Sequence, residues 1–287
     1  MNARTVSGTV LAVAAAAYAG WFEPRRLVVR RHTLELPRWP AAVDGVRLGI
    51  VSDIHAGAPH VGTKAIARAV ERLNAEAPDL MLVLGDCIDS HFAWGGRVSP
   101  EEIARELAAL RAPLGTFAVL GNHDWKQAGH RMWRALEDAG IDVLENRAAA
   151  AGDFHVAGLA DLRLRRPDLP SALADVPPDA PVILLSHDPD VFPFVPERVA
   201  LTLSGHLHGG QVAIPHLRRP AIPSRYGERY ARGHIVEGGR HLYVSSGLGT
   251  SGLPLRLLAP PEVVVLELRS NPGAGSAEPP SRSRPGP

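Results

Sequence analysis

Five short polar stretches succeed one another along this 287-residue chain: Asp53-Ile54-His55, Gly85-Asp86-Cys87-Ile88-Asp89, Gly121-Asn122-His123-Asp124, Ser186-His187-Asp188 and Gly205-His206-Leu207-His208. Their side chains are carboxylates, a carboxamide and imidazoles, the oxygen and nitrogen donors that borderline divalent ions accept. Two such ions about 3.5–4 Å apart form a clamp for in-line displacement at phosphorus, stabilising the attacking and leaving oxygens together. The clamp needs a bridging carboxylate, neutral and anionic donors on each ion, and an open position for water. The five stretches supply those donors in number and kind. Asn122 is informative, because a neutral carboxamide leaves net positive charge on its ion to attract phosphate.

A single Gly-Asp or Gly-Asn pair is an ordinary turn signal. Order and setting carry the weight here, since each stretch follows a short apolar run that reads as a buried strand. Arg47–Ser52, Leu80–Leu84 and Thr116–Leu120 are such runs. Between them, Thr63–Glu76 reads as a helix from the spacing of Ile66, Val70 and Leu73. Ser99-Pro100-Glu101-Glu102 is a capping box that opens another, and a third is expected around Gln127–Ala139. Beyond Asp142 strands dominate: Phe154–Ala157, Val182–Leu185, Leu201–Leu203, His241–Ser245 and Glu262–Leu268. An α/β half followed by a β-rich half predicts two packed sheets flanked by helices. The carboxyl ends of their strands are where such sheets gather ligand-binding residues.

The stretches together resemble the calcineurin-like metallophosphoesterases, whose pattern D-x-H, G-D-x-x-D, G-N-H-[DE], H, G-H-x-H is matched at every element from Asp53 to His208. The resemblance implies an α/β fold, the four-layer α/β/β/α sandwich of two mixed sheets flanked by helices. It implies two divalent ions, manganese first, with iron, zinc or a mixed pair accepted by the same donors. By position, Asp53, His55 and His208 would hold one ion and Asn122, His187 and His206 the other, with Asp86 bridging. His123, which has no ligand role in the family, would protonate or stabilise the leaving oxygen, and Asp124 would hold its ring in one tautomer. Water activated by the ions would be the nucleophile. Asp89 is expected either to brace its loop or to face the site. The histidines outside the motifs are expected at the surface or in the core, with His91 and His234 nearest the cleft.

Composition fits one catalytic unit with distinct ends. Thirty-one Lys and Arg against thirty Asp and Glu give a net charge of +1, which provides no global pull toward nucleic acid. The lone cysteine, Cys87, excludes an internal disulfide and reads as a small packed residue. Thr5 to Phe22 carries no charge, and its length is at the lower limit for a membrane span. Arg25, Arg26, Arg30, Arg31 and Arg38 follow it and only Arg4 precedes it, a bias that favours an uncleaved anchor with the catalytic domain facing the cytoplasm. Ala17-Tyr18-Ala19 before Gly20 keeps a cleaved export signal as the alternative. The expected organisation is an anchor or signal over 1–24, a metallophosphoesterase domain over 25–269, and a Gly/Pro/Ser-rich tail over 270–287 too poor in large apolar residues to order itself.

Two loops bear on substrate. His91-Phe92-Ala93-Trp94-Gly95-Gly96 follows the second motif, and Val212–His234 mixes Arg218, Arg219, Arg225, Arg229 and Arg232 with apolar residues that could grip a phosphate beside a lipid tail or rest on an anionic membrane. The membrane segment, Glu23-Pro24, the five motifs and the late Ser246-Gly247-Leu248-Gly249-Thr250-Ser251-Gly252 together resemble the YkuE/YaeI-type branch of the family. That branch implies a phosphodiester or pyrophosphate of a membrane-associated, lipid-linked substrate, UDP-2,3-diacylglucosamine of lipid A assembly among them. The expected partners are that substrate and the membrane surface, with nucleic acid disfavoured for want of a basic stacking groove. An exported broad-specificity phosphomonoesterase is the second reading. An inactive metal-binding scaffold is the third, against which the intact Asn122-His123-Asp124 argues.

Overall fold

Apolar runs of β-branched and leucine residues make the strands that carry the site, and their burial on both faces explains why they read as continuous rather than alternating. In the computed structural model, which describes residues 13–90, 97–214 and 222–271, they fall in two six-stranded sheets. The first has the order β1 (Val28–Leu36), β12 (Glu262–Ser270), β2 (Arg47–Val51), β3 (Leu80–Val83), β4 (Thr116–Ala118), β5 (Asp142–Val143). Strands β2 to β5 run parallel, and β12 is antiparallel to β2 and parallel to β1. The second sheet has the order β10 (Gly233–Glu237), β11 (Arg240–Val244), β9 (Leu201–Ser204), β8 (Val182–Leu185), β7 (Phe154–Gly158), β6 (Arg147–Ala151). Its four inner strands are parallel, with β6 and β10 antiparallel at the edges.

Leu48, Ile50, Leu82 and Val264 of one sheet meet Val156, Ile183, Leu185 and Leu203 of the other in a dry middle layer. Helices α1 (Thr63–Asn74), α2 (Pro100–Leu107) and α3 (Asn122–Asp138) cover the outer face of the first sheet. The short α4 (Leu169–Ala172) and the turns around Phe192 and Tyr230 cover the second. This is the α/β/β/α sandwich expected from the motifs. The capping box is formed: Glu102 N–H donates to Ser99 Oγ (3.3 Å) and Ser99 N–H to Glu102 Oε2 (2.8 Å).

In strand β1, Arg30 is paired to Glu262 and Arg31 forked onto Glu76. Two expectations need correction. Helix α3 begins at Asn122 rather than near Gln127, because its first turn is the third motif itself and shows no apolar periodicity; it bends at Ala128 (φ −157°, ψ 33°). Strand β12 extends to Ser270, where the tail was expected to begin, and Ser270 N–H is held by Asp44. The first part of the hydrophobic segment (1–12), the aromatic loop 91–96 with His91, residues 215–221 with Arg218 and Arg219, and the tail from 272 lie outside the described residues.

Candidate metal centre

Each motif places its donors two to four residues past the carboxyl end of a parallel strand: Asp53 after β2, Asp86 after β3, Asn122 after β4, His187 after β8, His206 and His208 after β9. The chain must turn sharply there to aim side chains back over the sheet edge. Asp53, His55, Asp86, His206 and His208 accordingly all hold positive φ, between 48° and 68°. Such left-handed backbone at non-glycine residues costs on the order of 1–3 kcal/mol each and persists only where the surroundings enforce it. Here the loops lock one another. Asp53 N–H donates to Gly85 O (3.0 Å), His55 N–H to Asp86 O (2.9 Å) and Gly249 N–H to Asp53 O (2.7 Å). Across the sheets, His206 N–H donates to Asp53 Oδ1 (2.8 Å). Gly121 is required by close approach, since a Cβ there would lie 2.7 Å from Asp86 N.

The side chains converge in three overlapping groups whose donor atoms lie within 4.8 Å of one another: Asp53, His55, His208; Asp86, His187, His206; and His55, Asp86, His123. All are buried. Asp86 belongs to two of the groups, as a bridging carboxylate must. His55 Nε2 lies 3.1 Å from His208 Nε2, and His206 Nδ1 lies 3.2 Å from His187 Nε2. A tetrahedral shell with metal–nitrogen bonds of about 2.1 Å has edges of about 3.4 Å, so these separations suit pairs of imidazoles on a common ion. Asn122 Oδ1, at the first position of α3, is buried without a hydrogen-bond partner. A buried carboxamide oxygen left so is costly unless a cation takes its lone pair. The donor set therefore fits a pair of divalent ions.

A hydrogen bond orients one imidazole, as outer partners do for metal-bound histidines, and charged groups lie close behind the others. His187 Nδ1 donates to Leu84 O (2.7 Å), leaving Nε2 free for a metal. Asp89, one of whose expected roles was to brace, is buried 3.8 Å behind His55 Nδ1. Asp188 Oδ2 is 3.6 Å from His206 Nε2 and is held by Arg163 (3.0 Å). The Arg256 guanidinium lies 3.4 Å from His208 Nδ1.

Burial, reinforced by neighbouring cationic or imidazole groups, pushes His55, His206 and His208 well below the ordinary imidazole range, so they are neutral as ligands must be. Burial pushes Asp53 up to about 6 against the pull of His187, and burial with the Asp86 carboxylate pushes Asp124 up to about 7. Burial also opposes charge on Asp86 and His187, yet their 3.0 Å contact prevails, holding the carboxyl well below its usual range and the imidazole well above. Crowded acids in a dry site are the electrostatic condition for binding cations.

His123 belongs to the third group, its ring edge-on to His55 at 4.6 Å between centroids. Its Nδ1 meets Ser90 Oγ (2.7 Å), not Asp124. Asp124 instead accepts from the N–H groups of Cys87 (2.8 Å), Ile88 (3.1 Å) and Gly121 (3.0 Å), tying the second motif to the start of α3. The neighbour of His123 Nδ1 is thus a serine and not the expected Asp124, because the turn at Gly121 aims Asp124 down at backbone amides. His234 is also corrected: it stacks on His241 in the β10–β11 hairpin and belongs to none of the metal groups. Cys87 is buried, with its thiol pushed up by burial and by Asp124.

Arg256 was missed in the sequence. Fully buried, it donates to the carbonyls of Ser246 (2.8 Å), Gly247 (3.1 Å), Gly249 (2.9 Å) and Ala259 (2.8 Å), and burial lowers it to about 10. A lone arginine inside the apolar run Leu255–Leu258, just after a glycine-rich loop, was the available signal. The loop it pins presses on the first motif: Gly247 has φ +70°, and a Cβ there would lie 2.5 Å from Asp53 Cβ.

The model of the calcineurin-like phosphoesterases matches residues 46–210, from β2 through both late histidines. The chain belongs to that family. It is 32% identical to the uncharacterized metallophosphoesterase YkuE of Bacillus subtilis, over 92% of this chain and 93% of that one. It is 30% identical to a zebrafish transmembrane protein with metallophosphoesterase domain, over 82% of this chain and 56% of that one. It is 27% identical to the UDP-2,3-diacylglucosamine pyrophosphatase LpxG of Chlamydia trachomatis, over 87% and 91%. The chain is therefore a metal-dependent phosphoric ester hydrolase, and the buried Asp and His groups are its metal-binding clusters.

Proposed function

We propose that this phosphoesterase hydrolyses a phosphodiester or pyrophosphate of a membrane-associated substrate, with UDP-2,3-diacylglucosamine, the substrate named for LpxG, as the first candidate. The observation that carries the reading is the set of overlapping buried groups able to hold metal, which includes His123, an imidazole whose Nδ1 is held by Ser90. In this reading Asp53, His55 and His208 hold one ion, Asn122, His187 and His206 the other, and Asp86 spans both. Bound there, the ion pair supplies a nucleophile at neutral pH and positive charge for the phosphoryl oxygens. His123 gives its proton to the leaving oxygen, and Ser90 keeps the ring turned to do so. Asp124 acts at one remove, fixing the loop that presents Asp86. Manganese is the first metal to supply.

A retained N-terminal tether, with the domain facing the cytoplasm, suits a substrate whose acyl chains lie in the leaflet. Support comes from how the segment docks: Arg256 N–H donates to Ala19 O (2.9 Å), His60 Nε2 meets Gly20 O (3.0 Å) and Ala259 N–H donates to Glu23 Oε1 (2.8 Å). Cleavage after Ala19 would sever a packed element. Among the described residues no helix is long and apolar enough to cross a membrane.

The test is an assay of the purified full chain with manganese against UDP-2,3-diacylglucosamine, a soluble diester and a monoester. Preferred turnover of the lipid-linked pyrophosphate is expected. A monoester turned over best by protein whose mature terminus is Gly20 would reject this reading in favour of the exported phosphomonoesterase.

A further inference from the structure

Two described arginines of the segment expected to meet lipid headgroups, Arg225 and Arg229, face carboxylates of the fold. Arg229 is forked onto Glu237, and Arg225 lies 3.7 Å from Asp190. A different surface has the composition of a bilayer contact. Trp21 and Phe22, at the end of the N-terminal helix, are 59% and 64% exposed, and Leu253 and Leu258 are 62% and 57% exposed. These residues are neighbours through the backbone, since Ala19 O accepts from Arg256 N–H between the two leucines. His60 joins them, packing edge-on to Trp21 (6.0 Å between centroids) and bonding Gly20 O.

Cations rim this apolar patch. Arg25 stacks its guanidinium 3.4 Å over the Trp21 ring. Beside it, Arg25, Lys64 and Arg68 line a 510 Å³ cleft with His60, and no carboxylate is among the lining residues. On the other side, exposed Arg232 donates to Leu258 O (2.9 Å). Tryptophan and leucine ringed by arginine and lysine match an anionic membrane surface, where rings sit at headgroup level and each nearby cation adds about 1 kcal/mol.

We propose that Trp21, Phe22, Leu253 and Leu258, with the cationic rim of Arg25, Lys64, Arg68 and Arg232, form a docking face for an anionic phospholipid bilayer. The contact extends the end of the N-terminal tether onto the domain through Leu253, Leu258 and the cationic rim. It fixes how the domain lies on the membrane, because the docked loop is continuous with Ser246–Gly249, which rests on Asp53 and through Arg256 on His208. The inference rests on the membrane-associated reading above, but its test uses no substrate, so a failed assay on the lipid pyrophosphate and a failed docking result are separate outcomes.

The full chain would carry a nitroxide at Leu253→Cys, Leu258→Cys or, as a control on a distant exposed residue, Leu164→Cys; native Cys87 is buried and does not compete. Each is reconstituted with phosphatidylcholine and phosphatidylglycerol vesicles at roughly two to one. Collision with oxygen relative to a water-soluble nickel chelate should rise several-fold at 253 and 258 and stay flat at 164. The rise should shrink in phosphatidylcholine alone and in Lys64→Glu/Arg68→Glu. Labels at 253 and 258 as accessible to nickel as that at 164 would overturn the docking face. Equal depth without anionic lipid would overturn the role of the cations. Immobilisation without vesicles, increasing with protein concentration, would assign the patch to a second copy of the chain and overturn the proposal.

Discussion

The two sheets contribute unlike chemistry to one cluster. The first delivers Asp53, His55, Asp86 and Asn122 from the ends of β2, β3 and β4; the second delivers only histidines, His187, His206 and His208, from β8 and β9. Two of the three groups draw on both sheets, since Asp53 and His55 need His208, and His187 and His206 need Asp86, while His55, Asp86 and His123 meet from the first sheet alone. The middle apolar layer therefore does more than hold the domain together, because it sets the distance between acids and imidazoles. A dense core is a rigid spacer, and metal affinity and sheet packing become one linked equilibrium.

The largest effect should come from Asp86, whose carboxylate reaches His187 and His206 on one side and His55 on the other. Asp86→Asn should lose at least one ion and more activity than Asp53→Asn, which touches one group only; metal analysis beside turnover separates the two. Normal two-metal binding in Asp86→Asn with a deficit in Asp53→Asn would move the bridge to the other carboxylate. Next, His123→Ala should keep both ions and lose about 10²–10⁴-fold in turnover, the range for general acid catalysis. Loss of an ion instead would make His123 a ligand and the first sheet's share larger.

Arg256→Met probes the pin between the sheets. It strips donors from four buried carbonyls, so denaturant unfolding should show a loss of roughly 3–5 kcal/mol, with Arg256→Lys intermediate. Metal titration should show the Asp53/His55/His208 group weakened more than its neighbour. Chelation tests the linkage: ions present at a hundredfold their Kd add about 2.7 kcal/mol, so their removal should lower Tm by roughly 5–10 °C. An unchanged Tm would mean that the sheets hold their spacing unaided.

The smallest effect lies at the second sheet's far edge. Burial and the neighbouring His234 push His241 down from 6.5 to about 4. The unfolded chain then binds the proton more readily, so this group's stabilisation is full above pH 6.5 and is lost as pH falls toward 4. Urea unfolding of the wild type and His241→Gln at pH 7.5 and pH 5 should show the wild type losing more stability, roughly 1 kcal/mol once solvent screening is allowed for. Parallel losses would place the pH sensitivity elsewhere.

Strands such as Leu80–Val83 and Val182–Leu185 were legible because buried parallel strands are uninterrupted apolar runs. Strand β1 was not, since Arg30, Arg31 and His32 on an edge strand look like a charged flank until Glu262 and Glu76 are brought beside them. That pairing also gives those arginines a structural reason to be there, apart from membrane orientation. Asp124 and Ser90 illustrate a finer failure. Both were visible as residues, but which of them faced His123 depended on how the turn at Gly121 aimed α3.

Residue types and order determined the donor set by themselves: carboxylates, a carboxamide and imidazoles, each placed just past an apolar run, specify metal chemistry at strand ends wherever those strands go. Only the tertiary structure decided which donors share a group, which serine, carboxylate or carbonyl stands near each imidazole, and that a guanidinium 48 residues past the last motif lies behind His208. Ligand identity is local and written in side chains. Ligand grouping is a distance between two sheets, set by the packing of Leu82, Val264, Ile183 and Leu203 far along the chain from one another.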